Sequence, residues 1–123
     1  MFNLTLDNSK KINVNYKKHT FNYALDGSLP NPLEAFYATL NGCAGVFAHK
    51  ACAELGLSSE GIEIVSRPVV APSNPMFPIK FETTVSFPER FTAEQKEKIL
   101  ASVSTCAVKE VVKHGADVEF IVK

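Results

Sequence analysis

Tryptophan is absent from this chain, cysteine occurs only three times, and no apolar run approaches the roughly 20 residues that a bilayer-crossing helix needs. Cys43, Cys52 and Cys106 are too few, and odd in number, to form the disulfide framework of a secreted domain. They point instead to reduced thiols in a cytoplasm. Charge of one sign is missing too: 13 basic residues cancel 13 acidic ones. The field that would draw the chain to nucleic acid or to an anionic membrane is therefore lacking. There is no Gly-rich phosphate loop and no nucleophile elbow. The first residues, MFNLTLDNSKK, have neither the apolar core nor the cleavage site of a signal peptide. The expectation is a soluble cytoplasmic protein with no nucleic-acid partner and no membrane partner.

What remains is enough for one domain spanning residues 1–123, with a single modest core. Phe2, Leu4 and Leu6 alternate with polar residues, as do Ile12, Val14 and Tyr16, and Asp7-Asn8-Ser9 supplies turn chemistry between them. A third strand is expected from His19 to Leu25. Asn31, Pro32 and Glu34 then form a helix-start signal: an N-cap, a proline at the first helical position and the acid of a capping box. The helix runs to Gly56 and is apolar on nearly every face until His49 and Lys50, which predicts a buried central helix.

Strand patterns return at Ile62 and Ile64, and again from Ile79 to Phe87. Pro68, Pro72, Pro75 and Pro78 demote the stretch between them to a loop or a sheet edge. Thr92 and Gln95 make a second capping box, opening an amphipathic helix that should reach Gly115. A last strand is expected over residues 117–122. The predicted order is βββ-α-ββ-α-β, an α+β fold. One small sheet cannot cover so hydrophobic a first helix, which predicts a homodimer that buries the central helices jointly.

Cys43 lies among the small residues Gly42, Ala44, Gly45 and Ala48, and Cys106 on the apolar face of the second helix. If the fold brings them together they form a thiol pair that an oxidant can close. The plainer reading makes each a small buried hydrophobe. Cys52 follows Cys43 by half an odd number of turns at about 100° per residue, so it faces the opposite side of the helix and reads as a core thiol. Cys43, His49 and Cys52 scatter around the helix, and no metal site is expected. His49, His114 and His19 read most simply as a solvated helix residue, a helix-end residue and a strand residue.

The stretch NPLEAFYATLNGCAG, residues 31–45, resembles the OsmC/Ohr family of thiol-dependent peroxidases, and the block FTAEQKEKILASVSTCAVKEVV resembles the region around that family's second cysteine. The resemblance spans nearly the whole chain. It implies an intertwined homodimer with two interface sites, Cys43 as the peroxidatic and Cys106 as the resolving cysteine. It also implies reduction of organic hydroperoxides, and sometimes hydrogen peroxide, with no metal or bound organic cofactor. An external thiol, a dithiol such as dihydrolipoamide in one branch, would regenerate the enzyme. Phe36, Leu40, Phe47, Met76 and Phe77 are the apolar residues expected to wall the site.

The chain departs from the family pattern in three places. No arginine precedes Arg67 to polarise the thiolate, which leaves Lys17, Lys18 or Arg67 as possible cations. The family's glutamate falls where this chain has Leu33, so Glu34 is open to two roles, catalytic carboxylate or helix cap. Ala107 stands where the family usually has proline. A second reading keeps the fold without the chemistry: a non-catalytic dimeric binding protein with an apolar interface pocket.

Overall fold

A computed structural model describes all residues, Met1–Lys123. The chain is α+β, with two small antiparallel sheets and three helices, in the order β1 (Lys11–Tyr16), β2 (His19–Ala24), α1 (Pro32–Glu54), β3 (Glu63–Ala71), β4 (Asn74–Ser86), α2 (Ala93–Val103) and α3 (Ala107–His114). It divides into two compact units, Met1–Ala38 and Thr39–Lys123.

The first unit is built on a hairpin. β1 and β2 pair from Lys11↔Ala24 to Tyr16↔His19, and the chain reverses at Lys17 with φ 53. The segment expected as a first strand makes only an isolated bridge, Asn3↔Asn15, although Phe2 stacks on Tyr16 with ring centroids 4.3 Å apart. The expected Asp7-Asn8-Ser9 turn is present: the Ser9 N–H donates to Asp7 Oδ1 at 2.9 Å and Asn8 takes φ 67. The nearby Ser9 side chain and the Ser9 N–H hold Asp7 below its ordinary pKa. Ala24 is the unit's one buried side chain.

α1 starts as its sequence dictates. The Glu34 N–H donates to Asn31 Oδ1 at 2.9 Å, and the Asn31 N–H donates back to Glu34 Oε2 at 3.2 Å. At the other end Gly56 adopts φ 69, and the Leu57 N–H donates to the Cys52 carbonyl at 2.8 Å. A left-handed residue of this kind ends a helix most cheaply when it is glycine. The helix is not buried all round: Leu40, Ala44, Ala48, Ala51 and Cys52 form a buried stripe, while Leu33, Phe36 and Val46 remain exposed.

That stripe is half of the second unit's core, which joins Ala44, Ala48, Ala51 and Cys52 to Phe91, Ile99 and Val103. The Ser102 hydroxyl of α2 donates across to the Phe47 carbonyl at 3.4 Å. Below the core, Arg90 Nη2 donates to the carbonyls of Ser58, at 3.1 Å, and Glu60, tying down the connection that follows α1. Gly61 lies in that connection at φ 82, where an added Cβ would stand 3.0 Å from Pro88 Cγ. The left-handed backbone angle favours glycine there, and any Cβ would also press on the Pro88 ring.

The proline-rich stretch resolves as an edge rather than a loop. Pro68 lies in β3 and Pro75 and Pro78 in β4, with register shifts at Val69/Val70 and Val70/Ala71. In a two-stranded ribbon each strand has a free edge, so a residue without an N–H costs no ladder bond.

Besides the first strand, two expected elements differ. The second helix is interrupted, because Ser104 Oγ donates to the Ala101 carbonyl at 2.7 Å and Thr105 Oγ1 to the Ser102 carbonyl at 2.8 Å. Hydroxyls that bond the preceding turn compete with helix propagation, and Cys106 leaves the helical region at φ −61, ψ 144. The last strand is not formed: residues 115–123 have no regular structure, and Val118, Phe120, Ile121 and Val122 are exposed. Their alternation suits a strand, but a strand needs a neighbouring backbone to satisfy its N–H and C=O groups, and none lies alongside. The order is thus ββ-α-ββ-α-α. No helix is long and apolar enough to cross a membrane.

Candidate functional site

The interruption between α2 and α3 places Cys106. Instead of lying on a helix face, it occupies the N-cap of α3 and is 3% exposed. Cys43 on α1 is near enough to act on its ionisation, and Cys43 is half-buried. Both residues belong to the second unit.

Burial is the main force on Cys106 and raises its pKa above the ordinary value, because a thiolate loses its hydration there. The Lys109 backbone N–H, at the third position of α3, faces the sulfur and opposes that rise, though no capping hydrogen bond closes. The neighbouring Cys43 thiol and its charge raise the pKa further, and the Lys109 side chain lowers it. Lys109 was not among the cations considered from sequence. Its spacing to Cys106, three residues into a helix that starts at an unrecognised break, was the signal that could have found it.

The other candidate cations are engaged or remote in chain position. Arg67 gives its guanidinium to Glu82, with Nε–Oε2 at 2.9 Å and Nη2–Oε2 at 2.7 Å. Lys17 and Lys18 form the hairpin turn of the first unit, with the Lys17 ammonium 5.2 Å from the Tyr16 ring centroid. Glu34 holds the capping box that opens α1.

Beside Cys106 lies a cavity of about 630 Å³. Leu40 and Ala44 of α1, Phe81 and Val85 of β4, Val103 and Cys106 contribute to its wall. Lys80, Lys109 and Lys113 border it as well, and no carboxylate does. Of the expected apolar wall only Leu40 takes part; Met76 and Phe77 are exposed on β4. Cys43 precedes Ala44 on α1 but does not line the cavity.

Cys52 is apart from this arrangement, 1% exposed in the core, its pKa raised by burial and lowered by the charge of Arg90. His49 Nδ1 lies 2.9 Å from Ser59 Oγ, and His114 Nε2 lies 3.0 Å from Glu110 Oε2. No three His, Cys, Asp or Glu side chains are grouped so as to hold a metal ion.

A family profile described as OsmC-like protein matches residues 25–121. Two solved structures share the fold. One is an OsmC-like protein from Mycoplasma pneumoniae, 9% identical, covering 92% of this chain and 86% of that one with a TM-score of 0.72. The other is a protein of Psychrobacter arcticus 273-4, provisionally described as an osmotic stress induced and detoxification response protein. It is 11% identical and covers 89% of this chain and 85% of that one, with a TM-score of 0.71. No curated protein sequence matches the chain.

Proposed function

We propose that this chain, which belongs to the OsmC-like protein family, is a cytoplasmic thiol-dependent peroxidase that reduces organic hydroperoxides. The observation that carries the proposal is the meeting of Cys43 with Cys106, two thiols from distant parts of the sequence. The Cys43 thiolate attacks the terminal peroxide oxygen and the O–O bond breaks. The alkoxide leaves and is protonated to the alcohol, while Cys43 becomes a sulfenic acid. The Cys106 thiolate then attacks the Cys43 sulfur, the S–O bond breaks, and hydroxide leaves to become water. An external thiol reductant opens the resulting disulfide by two exchange steps and carries away the two electrons' worth of oxidation.

The half-buried position of Cys43 suits a thiol that meets substrate, and the apolar lining of the neighbouring cavity suits an organic over a purely aqueous peroxide. A homodimer belongs to the same proposal. Its support is the exposure of Val46 on α1 and of Val118, Phe120 and Val122. Hydrogen peroxide is a weaker candidate substrate, since it gains nothing from apolar walls.

The test is treatment of the reduced protein with one equivalent of cumene hydroperoxide, followed by intact mass and peptide mapping. The expected product has lost two hydrogens and carries a Cys43–Cys106 bridge. Cys106→Ser should be oxidised at Cys43 without forming that bridge, and Cys43→Ser should consume no peroxide. Glu34→Gln keeps a side chain competent for the capping box while removing its charge. Unchanged turnover in that variant would leave Glu34 as a cap alone.

A second reading is a non-catalytic dimeric binding protein. It is favoured by one observation, a cavity of about 630 Å³ whose wall does not include Cys43. Failure of the hydroperoxide to oxidise Cys43 would select it.

A further inference from the structure

The family pattern leads one to look for a cation near the first cysteine, but the geometry of this chain provides one at the second. Cys106 caps α3, and the residue at the third helical position of such a cap presents its backbone N–H to the capping side chain. That residue is Lys109. Its side chain is half-exposed and borders the same cavity as Cys106, one helical turn away, and no capping hydrogen bond closes between them. The ammonium is held 3.2 Å from Glu110 Oε1, and the opposite oxygen of Glu110 takes His114 at 3.0 Å.

We propose that Lys109 is a positioning residue for Cys106. Its N–H and ammonium favour the thiolate that burial disfavours, and Glu110 tempers the effect by competing for the ammonium. This deepens the peroxidase reading and rests on it for its purpose: Cys106 must ionise before it can displace hydroxide from the Cys43 sulfenic acid. The groups that face Cys106 divide by element. Cys43 comes from α1; Lys109 and Lys113 come from α3; Lys80 comes from β4, where Glu82 already holds it at 3.1 Å. Lys80, Lys109 and Lys113 line the cavity wall, where the first two are also paired with Glu82 and Glu110.

The test needs no peroxide. In a Cys43→Ser background, the rate of iodoacetamide modification of Cys106 is followed by peptide mapping across a pH series. Lys109→Met keeps most of the apolar stem and removes the charge. It should slow modification at neutral pH, because fewer Cys106 thiols are ionised once the cation is gone. It should also move the pH profile to higher pH. Lys109→Arg should restore both, and Glu110→Gln should speed modification.

A merely structural role for Lys109 would not give opposite signs in adjacent variants. An unchanged rate in Lys109→Met, or a loss that arginine does not repair, overturns the proposal. If Lys109→Met fails to fold, Glu110→Gln decides alone, an unchanged or slower rate counting against it. Failure of the peroxidase reading would show in the bridge-mapping experiment and leave these rates untouched.

Discussion

Cys52 and Cys106 are both buried thiols whose pKa is raised chiefly by burial, yet they occupy opposite kinds of place. Cys52 sits in continuous α1 among alanines, Ile99 and Phe91, with no second thiol to meet. Cys106 sits where a helix has stopped and another has begun, with Cys43 on one side and a cavity on the other. Burial alone therefore does not separate a packing cysteine from a reacting one. The local backbone does: a helix interior offers a sulfur only side chains, whereas an N-cap offers it N–H groups that have no partner of their own.

The comparison is broken most severely from the core side. Ile99, 0% exposed, fills the space between α2 and the α1 stripe, and Ile99→Ala should cost about 2–5 kcal/mol of stability. Urea unfolding would measure it. A cost well under that range would mean that the core around Cys52 is as yielding as the break around Cys106.

A smaller effect should appear with pH and involves both thiols. The fold raises each pKa, so the folded chain holds these protons more tightly than the unfolded chain does. Their contribution to stability is complete below the ordinary thiol value of 9.0 and is lost as pH climbs through the raised values. The thermal midpoint should fall across that alkaline range, less steeply in Cys106→Ser. A midpoint that stays level would show that both sulfurs ionise in place.

The smallest effect is expected from Ala107→Pro. Ala107 is the first helical residue of α3, a position where proline fits because the N–H has no intrahelical acceptor. Stability should change by no more than about 1 kcal/mol. A larger loss in urea unfolding would show that the chain does not restart its helix at Cys106.

Much of this was legible in the residues. Both capping boxes, at Asn31–Glu34 and Thr92–Gln95, stand where side-chain chemistry put them, and Gly56 and Gly115 end helices at positive φ. These signals are local, involving bonds within four residues. The Ser104–Thr105 break was not legible, because Ile99, Val103 and Cys106 keep helical spacing across it. Only the hydroxyls' choice of acceptor interrupts the helix. Without the break, Lys109 had no visible relation to Cys106. The absent last strand has the converse cause: its alternation is plain, but pairing depends on a neighbour that the chain by itself does not place there.

The adjacency of Cys43 and Cys106 also bears on the lifetime of the folded state. Joining them would tie α1 to the start of α3 and close a loop of roughly 60 residues, narrowing the unfolded ensemble by about 4 kcal/mol on the chain-entropy estimate. An oxidised molecule would then resist unfolding and proteolysis better than a reduced one. Exposure to an oxidant would be written into the protein's persistence, and each reduction would erase the record.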